Sequence, residues 1–179
     1  YGGAGDTAQI AGSSGNDALV AYYNQVTLTG SGYSNKVRSF AAVYVTAGTG
    51  TDTATFYDSS GNDILVAHSN LAYLYATGYL NHATGFDTVT VNATSGGLDV
   101  AYMYGSTGND TFTGRATQAV FAGTGFSNTA NGFDNVYGNA SSGGTDTANL
   151  YDSTGNDTFV FTPLHGYVVG GAGQFNFAE

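Results

Sequence analysis

Gly144-Thr145-Asp146-Thr147-Ala148-Asn149-Leu150-Tyr151-Asp152-Ser153-Thr154-Gly155-Asn156-Asp157-Thr158-Phe159 is one copy of a phrase that the chain writes four times. Its Gly-Asn-Asp core also stands at Gly15-Asn16-Asp17, Gly61-Asn62-Asp63 and Gly108-Asn109-Asp110, at steps of 46, 47 and 47 residues. Asp6, Asp52, Asp99 and Asp146, each two residues before an alanine, keep the same beat, as do Asn35, Asn81 and Asn128, each two residues after an aromatic. A fixed period of this length marks a stacked architecture in which each unit buries its apolar side against its neighbours. The units read as 1–46, 47–93, 94–140 and an incomplete 141–179, forming a single solenoid.

A fainter half-period lies inside each unit. Gly61-Asn62-Asp63-Ile64-Leu65 is echoed by Gly85-Phe86-Asp87-Thr88-Val89, and Gly108-Asn109-Asp110-Thr111-Phe112 by Gly132-Phe133-Asp134-Asn135-Val136. Gly-x-Asp-x-apolar thus returns every 23–24 residues. That length suits one coil of a parallel β-helix with short strands and turns. After each Asp, apolar residues alternate with Thr, Asn or Tyr, which is the period of a half-buried strand. The alternation points Ala54, Phe56, Leu65, Leu74, Val89, Ala101, Met103, Phe112, Phe121, Val136, Ala148, Leu150 and Phe159 inward. No helix is expected, because no segment carries a 3.6-residue apolar stripe. The expected fold is therefore all-β: a right-handed parallel β-helix, or β-solenoid, with two coils per 47-residue repeat. Its rival is a β-propeller with antiparallel strands inside each unit.

Composition narrows function. Thirteen acidic residues face three basic ones, for a net charge of −10. Without a cationic footprint, nucleic acid and anionic membrane surfaces are excluded as partners. There is no cysteine and no apolar run long enough to span a bilayer. The chain starts at Tyr1 without Met and stops inside a unit, which suggests a mature product or a cut segment. Uncapped ends suggest stacking on further copies, with Ile10 and Val168 open to the next module.

The phrase 144–159 resembles the tandem arrays of very large bacterial cell-surface and secreted proteins, and the resemblance runs through all four units. It implies an extracellular or cell-surface, structural or adhesive role. A looser similarity is to calcium-binding RTX repeats: Gly108-Asn109-Asp110-Thr111-Phe112 fits the second half of their motif, with Ser106 and Thr107 where its Gly-Gly pair belongs. That similarity implies calcium as a cofactor.

Repeated positions give the candidate sites. Asp17, Asp63, Asp110 and Asp157 should line one edge of the solenoid, either capping their own turns or holding calcium. Asn92, Asn139, Asn109 and Asn156 head N-x-Ser/Thr sequons for glycan attachment, with Asn92 and Asn139 the better placed because the other two sit in tight turns. Tyr57, Tyr104 and Tyr151 form an outward column able to touch sugar rings or a neighbouring fibre. Catalysis is not expected. His68, His82 and His165 fall at non-equivalent positions, and acids that recur in every unit point to structure. A Thr-rich solenoid raises ice binding, but at the repeat spacing Thr88 and Thr90 are matched by Asn135 and Tyr137, so no flat Thr array is expected. The leading expectation is a structural segment of an extracellular fibre that stacks head-to-tail on copies of itself. The alternatives are a carbohydrate-binding adhesion module and a calcium-stabilised RTX-like domain.

Overall fold

A computed structural model describes residues 1–140, 142–170 and 175–179. Among them there are nineteen strands and no helix. The first unit supplies β1 (Thr7–Ala11), β2 (Ala18–Tyr22), β3 (Gln25–Gly30), β4 (Tyr33–Arg38) and β5 (Ala42–Thr46). The second supplies β6 (Thr53–Tyr57), β7 (Ile64–Ala67), β8 (Leu71–Ala76), β9 (Tyr79–Thr84) and β10 (Thr88–Asn92). The third supplies β11 (Val100–Tyr104), β12 (Thr111–Gly114), β13 (Gln118–Gly123), β14 (Phe126–Asn131) and β15 (Asn135–Asn139). The fourth supplies β16 (Thr147–Leu150), β17 (Thr158–Phe161), β18 (Gly166–Val169) and β19 (Phe175–Ala178).

The strands stack as a β-solenoid of about five turns. Two sheets face each other across one core. The first runs β1-β5-β9-β8-β7-β11-β15-β19-β18-β17 and the second β16-β12-β13-β14-β10-β6-β2-β3-β4. Successive coils pair in parallel, as Thr53 with Thr88 and Ile64 with Val100. Each unit also folds three consecutive strands into an antiparallel meander, for example β7-β8-β9. The antiparallel pairs that would have marked a propeller blade are therefore present, built into continuous sheets.

The meander corrects the coil length. It spends three strands on one sheet without travelling round the solenoid, so parallel in-register neighbours lie 35–40 residues apart rather than 23–24. It also sets the handover between units. From β6 to β11 the chain crosses between sheets three times, at β6–β7, β9–β10 and β10–β11. An odd number of crossings sends each unit's meander to the sheet opposite its predecessor's. Equivalent residues of successive units thus lie on opposite sides of the solenoid, and columns expected along one edge are split between two.

Alternation places the core as expected through most of the chain. Phe56, Leu74, Ala101 and Met103 are fully buried. The last positions differ: Ala148 is exposed, Leu150 half-buried, and Phe159 41% exposed. They lie on or beside β16 and β17, edge strands where, among the described residues, no further coil covers the inner face. Val168, expected open, is buried because β18 lies between β17 and β19, and Ile10 is half-buried.

The two outer faces differ in chemistry. Across the first sheet, strand registers align Tyr44, His82, Tyr73, Val66, Tyr102, Tyr137, Phe177 and Tyr167 in one row. Across the second sheet the corresponding row runs Thr113, Val120, Thr129, Thr90, Thr55, Val20 and Thr27.

Candidate functional site

Gly-Asn-Asp is a fastener between coils. Asn16 and Asn62 accept the N–H groups of Thr51 and Leu98 at 2.9 Å. Asn109 accepts that of Thr145 at 2.8 Å. The aspartates form two kinds of bond. On the second sheet, the Asp17 N–H donates to the Asp52 carboxylate and the Asp52 N–H to Asp87, both at 2.7 Å. On the first, Asp63 donates to Asp99 and Asp99 to Asp134, both at 2.8 Å. Asp110 donates to Asp146 in the same way. Each carboxylate thereby ties its strand to the previous coil, which explains why Asp heads nearly every inter-coil strand. Glycine is required where coils touch: Gly97 has φ +117°, and a Cβ there would run into the Gly61 carbonyl and lie 3.1 Å from the Asn62 nitrogen.

Asp17, Asp63, Asp110 and Asp157 do not line one edge. Asp17 and Asp110 precede strands of the second sheet, Asp63 and Asp157 strands of the first. All four close their own turns. Asp17 accepts the Ser13 N–H at 2.6 Å, Asp63 that of Ser59 at 3.1 Å, Asp110 that of Ser106 at 2.6 Å and Asp157 that of Ser153 at 3.2 Å. The same serine hydroxyls also donate to these carboxylates. In the first two units a tyrosine hydroxyl completes the set, from Tyr33 to Asp17 and from Tyr79 to Asp63. The Tyr33 hydroxyl and the Ser13 N–H hold the Asp17 carboxyl below its ordinary range. Burial raises the Tyr79 phenol, assisted by Asp63, so it stays a donor.

Asp58 adds a third buried carboxylate at the second unit's corner, where the first and third units have Gly12 and Gly105. One of its oxygens takes the Ser95 N–H at 2.8 Å; the other finds no partner among the described residues. Burial pushes the Asp99 carboxyl up to about 6, and the charges of Asp63, Asp58 and Asp134 add to the rise. Among the described residues, no group of three or more His, Cys, Asp or Glu is arranged to hold a metal ion.

The sequon asparagines divide by access. Asn92 and Asn139 are half-buried at the ends of β10 and β15, and Asn92 accepts a bond from Asn131 at 3.0 Å. Asn109 and Asn156 are exposed at their turns. Access therefore favours the turn pair, reversing the expected order, because the outward ends of inner-coil strands are screened by the adjacent coil.

The tyrosine column is also split. Tyr57 stacks on Tyr22 at 4.6 Å, Tyr104 on His68 at 4.5 Å, and the Arg115 guanidinium lies 4.0 Å above the Tyr151 ring. One face of each ring is thus occupied by the adjacent coil. The backbone carbonyls of these partners hold the sandwich together. Asn81 donates to Tyr22 at 3.0 Å, Asn128 to His68 at 2.9 Å and Asn176 to Arg115 at 3.0 Å, each crossing from one sheet to the other. The Asn-after-aromatic marker was visible in sequence, but its partner 59–61 residues earlier was not.

The Thr array is present after all. Thr88 and Thr90 stand beside Thr53 and Thr55 on one side and Ser127 and Thr129 on the other. Asn135 and Tyr137, their counterparts one repeat on, lie on the opposite sheet.

At the open end, β16 and β17 leave a cleft of about 460 Å³ between the sheets, floored by Phe112, Phe121, Ala148 and Leu150 and rimmed by Phe161 and Leu164. Phe161 and Leu164 are 69% and 82% exposed. No helix of the described chain is long and apolar enough to cross a membrane. Compared with known protein families, characterised proteins and solved structures, this chain matches none.

Proposed function

We propose that the chain is a structural segment of an extracellular fibre built by stacking β-solenoid repeats end to end. The observation that carries this reading is the open end, where two free strand edges and an apolar cleft meet. An exposed edge recruits another strand, and burying the cleft contributes about 25 cal/mol per Å² of apolar surface. The bacterial cell-surface setting rests on the resemblance of the phrase 144–159 to giant tandem arrays.

The repeat also specifies the junction. Asp157 is the counterpart of Asp63, and Asp6 of Asp99. Strand β1 of a second copy would therefore join β17 as β11 joins β7, setting Thr7 opposite Thr158. Sizing and electron microscopy of the purified chain test the fibre directly. With no native cysteine, oxidation of a Thr7→Cys/Thr158→Cys variant should yield a ladder of covalently linked chains. A chain that stays monomeric at every concentration would overturn the reading.

A second reading rests on the second sheet's outer face. Its Thr hydroxyls and methyls form rows about 4.8 Å apart between strands and about 6.6 Å apart along them. Only β4 carries charge in that sheet, at Lys36 and Arg38. Such a grid can order a water layer and adsorb to ice. An ice-recrystallisation assay checks it: the native chain should arrest crystal growth and Thr90→Tyr should not. Inactivity of the native chain would remove this reading.

A further inference from the structure

We infer that the outer face of the first sheet pairs laterally with the same face of a second copy. None of its ten strands contains Asp, Glu, Lys or Arg. Its middle row is aromatic, and Tyr44 and Tyr102 are 39% and 38% exposed. Burial lowers the His82 pKa, so this imidazole stays neutral at pH 7 and adds no charge. A soluble protein seldom leaves a contiguous apolar face of several hundred Å² uncovered unless something docks there.

Area and chemistry select the occupant. Nine inter-strand steps of about 4.8 Å and five residues at about 3.3 Å give a face of roughly 700 Å². Two such faces bury about 1,400 Å², within the range of a stable specific interface. A bilayer is a poor fit, because the face has no basic residue to anchor at headgroups. A sugar chain needs free ring faces. Here the rings cover one another, His82 on Tyr73 at 5.8 Å and Tyr102 on Tyr137 at 5.2 Å, so mainly edges and hydroxyls point outward. An uncharged face of aromatic edges is complementary to itself about a two-fold axis, the symmetry of an isologous dimer. The opposite Thr face remains hydrated.

This contact is separate from end-to-end stacking, and the two fail separately. Tyr102→Lys/Tyr137→Lys places charges at the middle of the face without touching the core. Mass measured by sedimentation should halve, or paired filaments become single, while the Thr7–Thr158 disulfide ladder persists. Thr55→Lys/Thr90→Lys on the other sheet should leave the mass unchanged. Photo-oxidation of the unaltered chain supplies a measurement that needs no variant: dityrosine dimers should form through Tyr44, Tyr73, Tyr102 or Tyr137. An unchanged mass in the tyrosine variant, or dityrosine only through Tyr1 or Tyr23, would overturn the lateral contact.

Discussion

Replacing Asp63 by alanine strips three donors of their acceptor, the part-buried Ser59 N–H and hydroxyl and the buried Tyr79 hydroxyl. Each orphaned buried donor costs about 1–3 kcal/mol. Removing a negative charge beside Asp58 and Asp99 returns part of this, so the net loss should be about 2–4 kcal/mol. Asp110→Ala is the internal control. Phe126 stands where Tyr79 does and brings no hydroxyl, so chiefly the Ser106 N–H is orphaned, and the cost should be about 1–2 kcal/mol. Tyr79→Phe in a double-mutant cycle with Asp63→Ala should give a coupling of about 1–3 kcal/mol. Urea unfolding followed by circular dichroism measures the wild type and the four variants, in EDTA and in calcium. Neighbouring units can unfold separately in an array, so amide exchange at Ser59 localises the effect. Equal costs at Asp63 and Asp110 would refute the account of the corner. So would a wild-type midpoint that climbs with calcium and loses that climb in both variants, since the carboxylates would then be ligands rather than turn caps.

Two further outcomes follow from geometry and titration. Gly97→Ala should destabilise by about 2–3 kcal/mol, combining left-handed strain with a clash on the previous coil, whereas Gly96→Ala, at φ +98° with open space around it, should cost only about 1–2 kcal/mol of strain; thermal unfolding compares them, and equal losses would remove the coil-contact argument. Burial holds the folded Asp99 carboxyl up at about 6 against an ordinary value of 3.8, so the folded state keeps an extra proton between those two pH values. Its contribution to stability is greatest below the unfolded value and is lost as pH rises through 6. Asp99→Asn keeps an acceptor for the Asp63 N–H while removing the charge. It should flatten the decline in melting temperature between pH 4 and 6 and melt higher than the native chain at pH 7, and an unchanged pH profile would refute the assignment.

Several features were legible in residues alone, for a physical reason. Strand alternation depends only on neighbours two apart, so Phe56, Leu65 and Met103 could be assigned inward before any fold was known. Turn chemistry is also local: Ser59 to Asp63 spans four residues. The stacked-repeat expectation followed from repetition, since similar units bury their apolar sides against their neighbours. Ala148 and Phe159 obey the same alternation yet lie open, because burial needs a next coil and that is not a property of the strand.

Tertiary structure decided which residues become neighbours. Asp63 looks like Asp87 in sequence, but the meander sets it beside Asp99. Asn128 reaches the His68 carbonyl only because two sheets face each other. The odd number of crossings per unit decided the rest. Tyr44, Thr90 and Tyr137 occupy one repeat position, as do Thr55, Tyr102 and Asn149. Read at 47 residues, they are a mixed column. Folded, alternate units turn to opposite sides, so Tyr and Thr separate into an aromatic face and a hydroxyl face. The sequence by itself determined the repeat, the alternation and the turns, because these depend on local spacing. Only the path of the chain through space could sort equivalent positions onto two surfaces, because a face is a set of long-range neighbours.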